Sequence, residues 1–100
     1  MPVRVVAMIT IDENEPLALA RYLEVTTPLL EAAGAQIINR FTLNEVVVGH
    51  KPAKTVVIVQ YPSREAVSVV FDSQQYKDIM TVRDTAFLDY SVSIVADGDD

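Results

Sequence analysis

Tyr61-Pro62-Ser63-Arg64-Glu65-Ala66-Val67-Ser68-Val69-Val70-Phe71-Asp72-Ser73-Gln74-Gln75-Tyr76, followed by Ile79 and Arg83, is the stretch that decides the fold. The run before it, Thr55-Val56-Val57-Ile58-Val59-Gln60-Tyr61, is apolar at both odd and even positions. Such a run reads as a central strand with both faces covered. The Tyr-Pro step ends that strand, and Ser63 offers a hydroxyl to the free N–H groups of a starting helix. Ala66, Val69 and Val70 then give one short helical face. Asp72-Ser73 interrupts it, and Ser73 caps a second piece in which Tyr76, Ile79, Met80, Arg83 and Phe87 follow helical spacing. A central strand followed by a helix broken near Asp72-Ser73 is the expectation.

Outward from there the period alternates. Leu88, Tyr90, Val92, Ile94 and Ala96 alternate with Asp89, Ser91 and Ser93, the cleanest strand pattern in the chain. At the other end Val3, Val5, Ala7, Ile9 and Ile11 alternate with Arg4, Val6, Met8, Thr10 and Asp12, again a strand, with Val6 and Met8 making its second face partly apolar. Asp12-Glu13-Asn14-Glu15-Pro16 reads as a helix start with Asn14 as the capping acceptor. Leu19, Tyr22, Leu23, Leu30 and Ala33 keep helical spacing, Pro28 should loosen that helix, and Gly34 should stop it. Gln36 to Val48 reads as a second strand, with Ile37, Asn39, Phe41 and Leu43 on one face and Ile38, Arg40, Thr42 and Val46 on the other. Gly49 to Lys54 reads as a hairpin connection.

The resulting order, β-α-β-β-α-β, is that of an α+β, ferredoxin-like domain: a four-stranded antiparallel sheet with its helices on one face. Residues 1–97 form this one domain, and residues 98–100 an acidic C-terminal tail. The uncovered sheet face carries Val, Met and Ile side chains. A second copy of the chain is the simplest cover, so a homodimer is expected.

Tyr61-Pro62-Ser63, Glu65-Ala66, Phe71, Ser73-Gln74-Gln75-Tyr76 and Arg83 resemble the signature of domain-of-unknown-function family 1330. Its members tend to read Phe-Pro-Ser, then Ala, then Trp-Tyr-x-Ser-x-x-Tyr, then Arg. Tyr22, Pro28 and Gly34 are similar to the spacing of the family's first helix and its glycine stop. The resemblance implies a dimeric α/β barrel, in a group that includes cofactor-free monooxygenases of quinol-like substrates, muconolactone-type isomerases and haem enzymes. The chain departs from the pattern in three places. Val70 precedes Phe71 where relatives often have Trp, Gly34 is followed by Ala35 where they often have a second Gly, and Gln60 stands where many have Glu. An amide does not titrate, so Gln60 cannot act as the acid or base a carboxylate would provide there.

Composition narrows the partners. A net charge of −6 over 100 residues, with eight scattered Lys and Arg, argues against a nucleic-acid partner and against an anionic membrane surface. The absence of cysteine removes disulfides and thiolate metal sites. Met1-Pro2-Val3-Arg4 leads straight into a strand with no signal-peptide pattern, which makes the cytoplasm the expected compartment. No cofactor and no metal is expected. His50, the one histidine, falls in the hairpin connection. It reads as a turn residue before it reads as a base or a haem ligand. Asp97, Asp99 and Asp100 lack the distal glutamate of a calcium loop and read as a frayed terminus.

Three residues are singled out as ligand-binding candidates. Arg40 on the second strand would be costly facing a barrel interior unless paired or hydrated, so it either marks a pocket or is neutralised by an acid such as Glu45. Tyr76 either orients a ligand through its hydroxyl or packs as core with a wet tip. Arg83 either clamps an anion at a pocket rim or packs its stem and pairs with Asp72, Asp89 or a carbonyl. Two functions follow from that architecture. One is a barrel that binds or transforms a small apolar, aromatic or acidic metabolite. The other is a non-catalytic homodimeric assembly module. A domain regulated by a larger partner is a third reading.

Overall fold

The computed structural model describes residues 1–96. The proposed tail, 98–100, and the aspartates from Asp97 onward lie outside the described residues. β1 (Val3–Ile11), α1 (Pro16–Ala32), β2 (Gln36–Thr42) and β3 (Thr55–Tyr61) are followed by three short helices, α2 (Arg64–Phe71), α3 (Gln74–Asp78) and α4 (Met80–Ala86), and by β4 (Phe87–Ile94). The sheet order is β2-β3-β1-β4, and every pairing is antiparallel. Each strand–helix–strand unit therefore skips one strand position, which the other unit fills. The Cα envelope, 35 × 34 × 17 Å, is thin in one direction because helices lie on one face of the sheet alone.

The helix-facing side of the sheet collects Val5, Ile9, Val59, Tyr61, Tyr90 and Val92 against Tyr22, Val67, Val70, Tyr76 and Ile79. On the outer side Val6 faces Ile58 and Met8 faces Val56 across β1 and β3, and Phe41 faces Val56 from β2. Ser91 and Ser93 of β4 make the same side polar at the opposite edge.

Local chemistry accounts for the helix ends. Ser63 accepts from the Ala66 N–H and Ser73 from the Tyr76 N–H, both at 3.1 Å, so each serine opens a helix. The Ser73 hydroxyl also donates to the Val70 carbonyl at 2.7 Å, binding the restart to the helix before it. Gly34 closes α1: its N–H reaches the Glu31 carbonyl, the Ala35 N–H reaches the Leu30 carbonyl, and its φ of 77° is one that side chains resist. The same glycine lies against Pro62, whose Cγ would be 3.3 Å from an added Cβ, so the first helix stop touches the Tyr-Pro step.

Four expectations need correction. The second strand ends at Thr42, not Val48, and residues 43–54 form a connection in which Val47 and Val48 are exposed. β2 also carries a bulge: Ile37 pairs with Val59 and Asn39 with Ile58, leaving Ile38 as the extra residue. One extra residue reverses every side chain beyond it. Arg40 thus shares the helix-facing side with Ile37, while Asn39 and Phe41 point outward. The last helical segment breaks a second time at Ile79, and Phe87 begins β4 instead of ending a helix. Finally, Asn14 caps nothing. Its N–H donates to the Asp12 carboxylate at 3.0 Å, and α1 starts at Pro16 without a side-chain cap.

Candidate functional site

The layer between sheet and helices is not completely filled. A cavity of about 160 Å³ lies there, walled by aliphatic groups of β1, β3 and α1, with Tyr22, Tyr76, Tyr90 and Arg40 among its lining residues. A second recess of about 390 Å³ opens beside β4 and shares Phe71, Tyr76, Tyr90 and Val92 with the first, adding Arg83. A third, of about 350 Å³, contains Arg40, Thr42 and Thr55 with Leu23 and Phe87.

The wall between the first two carries the polar chemistry. The Tyr22 and Tyr90 hydroxyls are 2.5 Å apart, Tyr22 and Tyr76 are 3.1 Å apart, and the Tyr76 hydroxyl donates to Tyr90 at 3.0 Å. Three phenols from α1, α3 and β4 thus close a hydrogen-bonded triangle. Their rings meet edge to face, 6.2 Å between the centroids of Tyr22 and Tyr76 and 5.9 Å between those of Tyr22 and Tyr90. Arg83 completes the group. Its Nη1 donates to the Tyr76 hydroxyl at 3.4 Å, and its guanidinium carbon lies 5.2 Å from the Tyr90 ring centroid and 5.8 Å from that of Tyr76.

Burial drives the Tyr22 phenol far above its ordinary range. The neighbouring Tyr90 and the hydrogen bonds to Tyr76 and Tyr90 add to the effect. Burial likewise raises Tyr90, although the Tyr22 hydrogen bond and the nearby Arg83 charge pull the other way. Tyr61, buried on β3 in the same cavity wall, is pushed up to about 12 by burial and by Tyr76. Burial by itself lowers the Arg83 guanidinium, and its bonds to Tyr76 and Asp84 outweigh that and raise it. Tyr22, Tyr61 and Tyr90 are thus neutral donors at physiological pH, beside a permanent cation.

Arg83 and Tyr76, singled out from sequence, are brought together. Arg83 pairs with Asp84, its neighbour in the chain, at 3.2 Å, and not with Asp72 or Asp89. Arg40 stands apart from them on β2, and no carboxylate among the described residues is in ion-pair contact with it. Tyr22 and Tyr90 were missed as site residues. Both stood on faces that the periodicity already turned inward, and four tyrosines in a chain without tryptophan or cysteine were the available signal. Among the described residues no three metal-ligating side chains of the His, Cys, Asp and Glu kind converge, and no helix is long and apolar enough to cross a membrane.

The model of a family described as Domain of unknown function (DUF1330) matches residues 4–97. The chain belongs to the DUF1330 family. No curated protein matches it in sequence. Among solved structures, the RPA0582 protein of unknown function from Rhodopseudomonas palustris is 17% identical, with a TM-score of 0.75 over 94% of this chain and 80% of that one. A dimeric ferredoxin-like protein of unknown function from Thermobifida fusca is 11% identical, with a TM-score of 0.55 over 96% and 91% of the two chains. A conserved Bacteroides thetaiotaomicron protein of unknown function, described as a possible oxidoreductase, is 11% identical, with a TM-score of 0.59 over 94% and 95%. These likenesses establish the ferredoxin-like fold of this DUF1330 chain.

Proposed function

We propose that this DUF1330 chain is a small-molecule-binding subunit that works as a homodimer. Its ligand, a small apolar or aromatic molecule with an oxygen acceptor, sits between sheet and helices. Tyr76 and Arg83, with Tyr22 and Tyr90, hold that acceptor, and Arg40 stands at the β2 side. One observation carries this reading: two buried phenol hydroxyls, a half-buried third and a guanidinium converge on a wall shared by two cavities. A few oriented polar groups in an apolar hollow is the usual make-up of a ligand site. The hollow offers binding and orientation before acid–base catalysis, because its lining contains no carboxylate or imidazole among the described residues. The apolar outer face with Val6, Met8, Val56, Ile58 and Phe41, together with the dimeric Thermobifida protein, supports pairing through the sheet.

Side-chain NMR on a tyrosine-labelled sample, titrated with ring-sized fragments, tests the binding reading. Binders should shift Tyr22 and Tyr90 together, and Arg83→Met should weaken those carrying an acceptor by about one decade. If every binder moves surface resonances alone, the site is wrong. The second reading, a non-catalytic assembly module, draws on the same triangle, since its hydroxyls satisfy one another and leave no buried side-chain polar atom without a partner among the described residues. Light scattering at micromolar concentration separates the claims: a monomer removes the homodimer, whatever the ligand result.

A further inference from the structure

The bulge at Ile38 has a chemical result. In an unbroken β2 the side chain of Arg40 would share a face with Ile38 and point away from the helices. The extra residue instead turns Arg40 to the helix side, opposite Val57. The Asn39 side chain accepts from the Arg40 N–H at 3.0 Å, a local bond beside the bulge. Bulges often re-aim a side chain next to a functional site. Here the re-aimed group is a cation placed at the border of two apolar hollows, one of about 160 Å³ that reaches the tyrosine triangle and one of about 350 Å³ that holds Thr42 and Thr55.

Thr42 and Thr55 face each other across β2 and β3, so two hydroxyls share the recess with the guanidinium. No carboxylate among the described residues pairs with Arg40, whereas Arg83 already holds Asp84. A fork of guanidinium donors with hydroxyls beside it matches the two oxygens of a carboxylate. The inner hollow is about the size that takes one benzene ring.

We propose that the ligand is a monocarboxylate with a ring-sized or short aliphatic body, and that Arg40, helped by Thr42 and Thr55, is its carboxylate seat. The body lies in the inner hollow, an oxygen acceptor at its far end meets Tyr22, Tyr76 and Tyr90 with Arg83, and the molecule enters between β2 and α1. This rests on the binding reading above and adds the ligand's charge, its orientation and its door.

Calorimetry with phenylacetate and phenylacetamide, probes of one shape that differ in charge, tests the assignment. Wild type should hold phenylacetate roughly tenfold more tightly than the amide, as expected for a charge-assisted bond. Arg40→Met should bring phenylacetate down to the amide's affinity and leave the amide unchanged. Arg40→Lys, which keeps the charge and loses the fork, should retain part of the preference. Arg83→Met should leave the preference intact. Thermal melting of each variant confirms folding, and Arg40 is exposed enough for Arg40→Met to melt as wild type does. If both probes bind wild type equally, or the preference survives in Arg40→Met and vanishes in Arg83→Met, the seat is wrong while the binding reading stands. If neither probe binds while neutral ring-sized fragments still shift Tyr22 and Tyr90, the seat falls and the binding reading stands, and if no fragment reaches those tyrosines either, both fall.

Discussion

β2 and β4 hold equivalent places at the two edges of the sheet, and the protein treats them in opposite ways. The inward residues of β4 are large and better covered: Phe87 is 8% exposed, with its ring centroid 5.2 Å from that of Tyr22, edge to face, and 5.0 Å from that of Tyr90, Tyr90 and Val92 are half-buried, and Ile94 opens at the strand's end. The inward residues of β2 are open: Ile37 is 56% exposed, and Arg40 and Thr42 are exposed as well. The cause is helical coverage. α4 runs directly into β4 and packs on α1, bringing helical cover to that edge, while β2 follows α1 through a short glycine turn and lies at the uncovered margin. One edge thus carries the stability, and the other leaves the hollow accessible.

Alkali should strike the covered tyrosines of α1, β3 and β4 hardest, and the open β2 edge, which has none, least. Tyr22, Tyr61 and Tyr90 keep their protons in the fold to higher pH than in the unfolded chain, where they ionise near pH 10. Above that value the unfolded state binds fewer protons, so stability falls as pH rises. The loss is about 1.4 kcal/mol per pH unit for each fully buried tyrosine, and below pH 10 the contribution is fully present. Phenolate absorbance should lag behind that of free tyrosine and then rise together with loss of near-ultraviolet circular dichroism. A free-tyrosine titration curve would mean the triangle is open to water.

Phe87→Ala should cost about 3–5 kcal/mol in urea unfolding, because it leaves a hole between two aromatic rings. Its partner in the comparison, Ile37→Ala at the open edge, should cost less than about 1 kcal/mol. Equal costs would erase the distinction between the edges. Between these extremes, Gly34→Ala should cost about 1–2 kcal/mol, since it forces a side chain into a left-handed backbone and against Pro62. Ser73→Ala should cost about 1 kcal/mol through the lost cap, read as a lower melting temperature. No loss at Ser73 would mean that the restart at α3 is held by packing of Tyr76 alone.

What was legible in the sequence was local. Ser63, Ser73, Asp72 and Gly34 mark helix ends through bonds spanning a few residues, and the alternation in β1, β3 and β4 shows strands directly. The strand order then follows from the β-α-β-β-α-β plan. What was not legible depended on distance. The bulge at Ile38 answers to pairing with β3, and a period-two reading continued through it, which placed Ile37 and Arg40 on opposite faces. The early end of β2 reflects the length of its partner, since Thr42 pairs with Thr55, the first residue of β3. Tyr76 and Arg83 could be chosen from one helical stripe, but Tyr22 and Tyr90 join them from 54 and 14 positions away along the chain, where no local pattern reports a contact.

The tyrosine triangle implies an unusual kind of rearrangement. Each hydroxyl in it can turn about its own C–O bond, so an arriving acceptor can be given a hydrogen by rotation of one O–H while the other two oxygens keep their bond. Carbon and oxygen positions need not change. The protein heavy atoms of a bound and an empty molecule would then superpose in an X-ray map, which does not record at ordinary resolution the hydrogens that had turned. Neutron diffraction, or the hydroxyl proton resonances of Tyr22 and Tyr90, would tell the two apart.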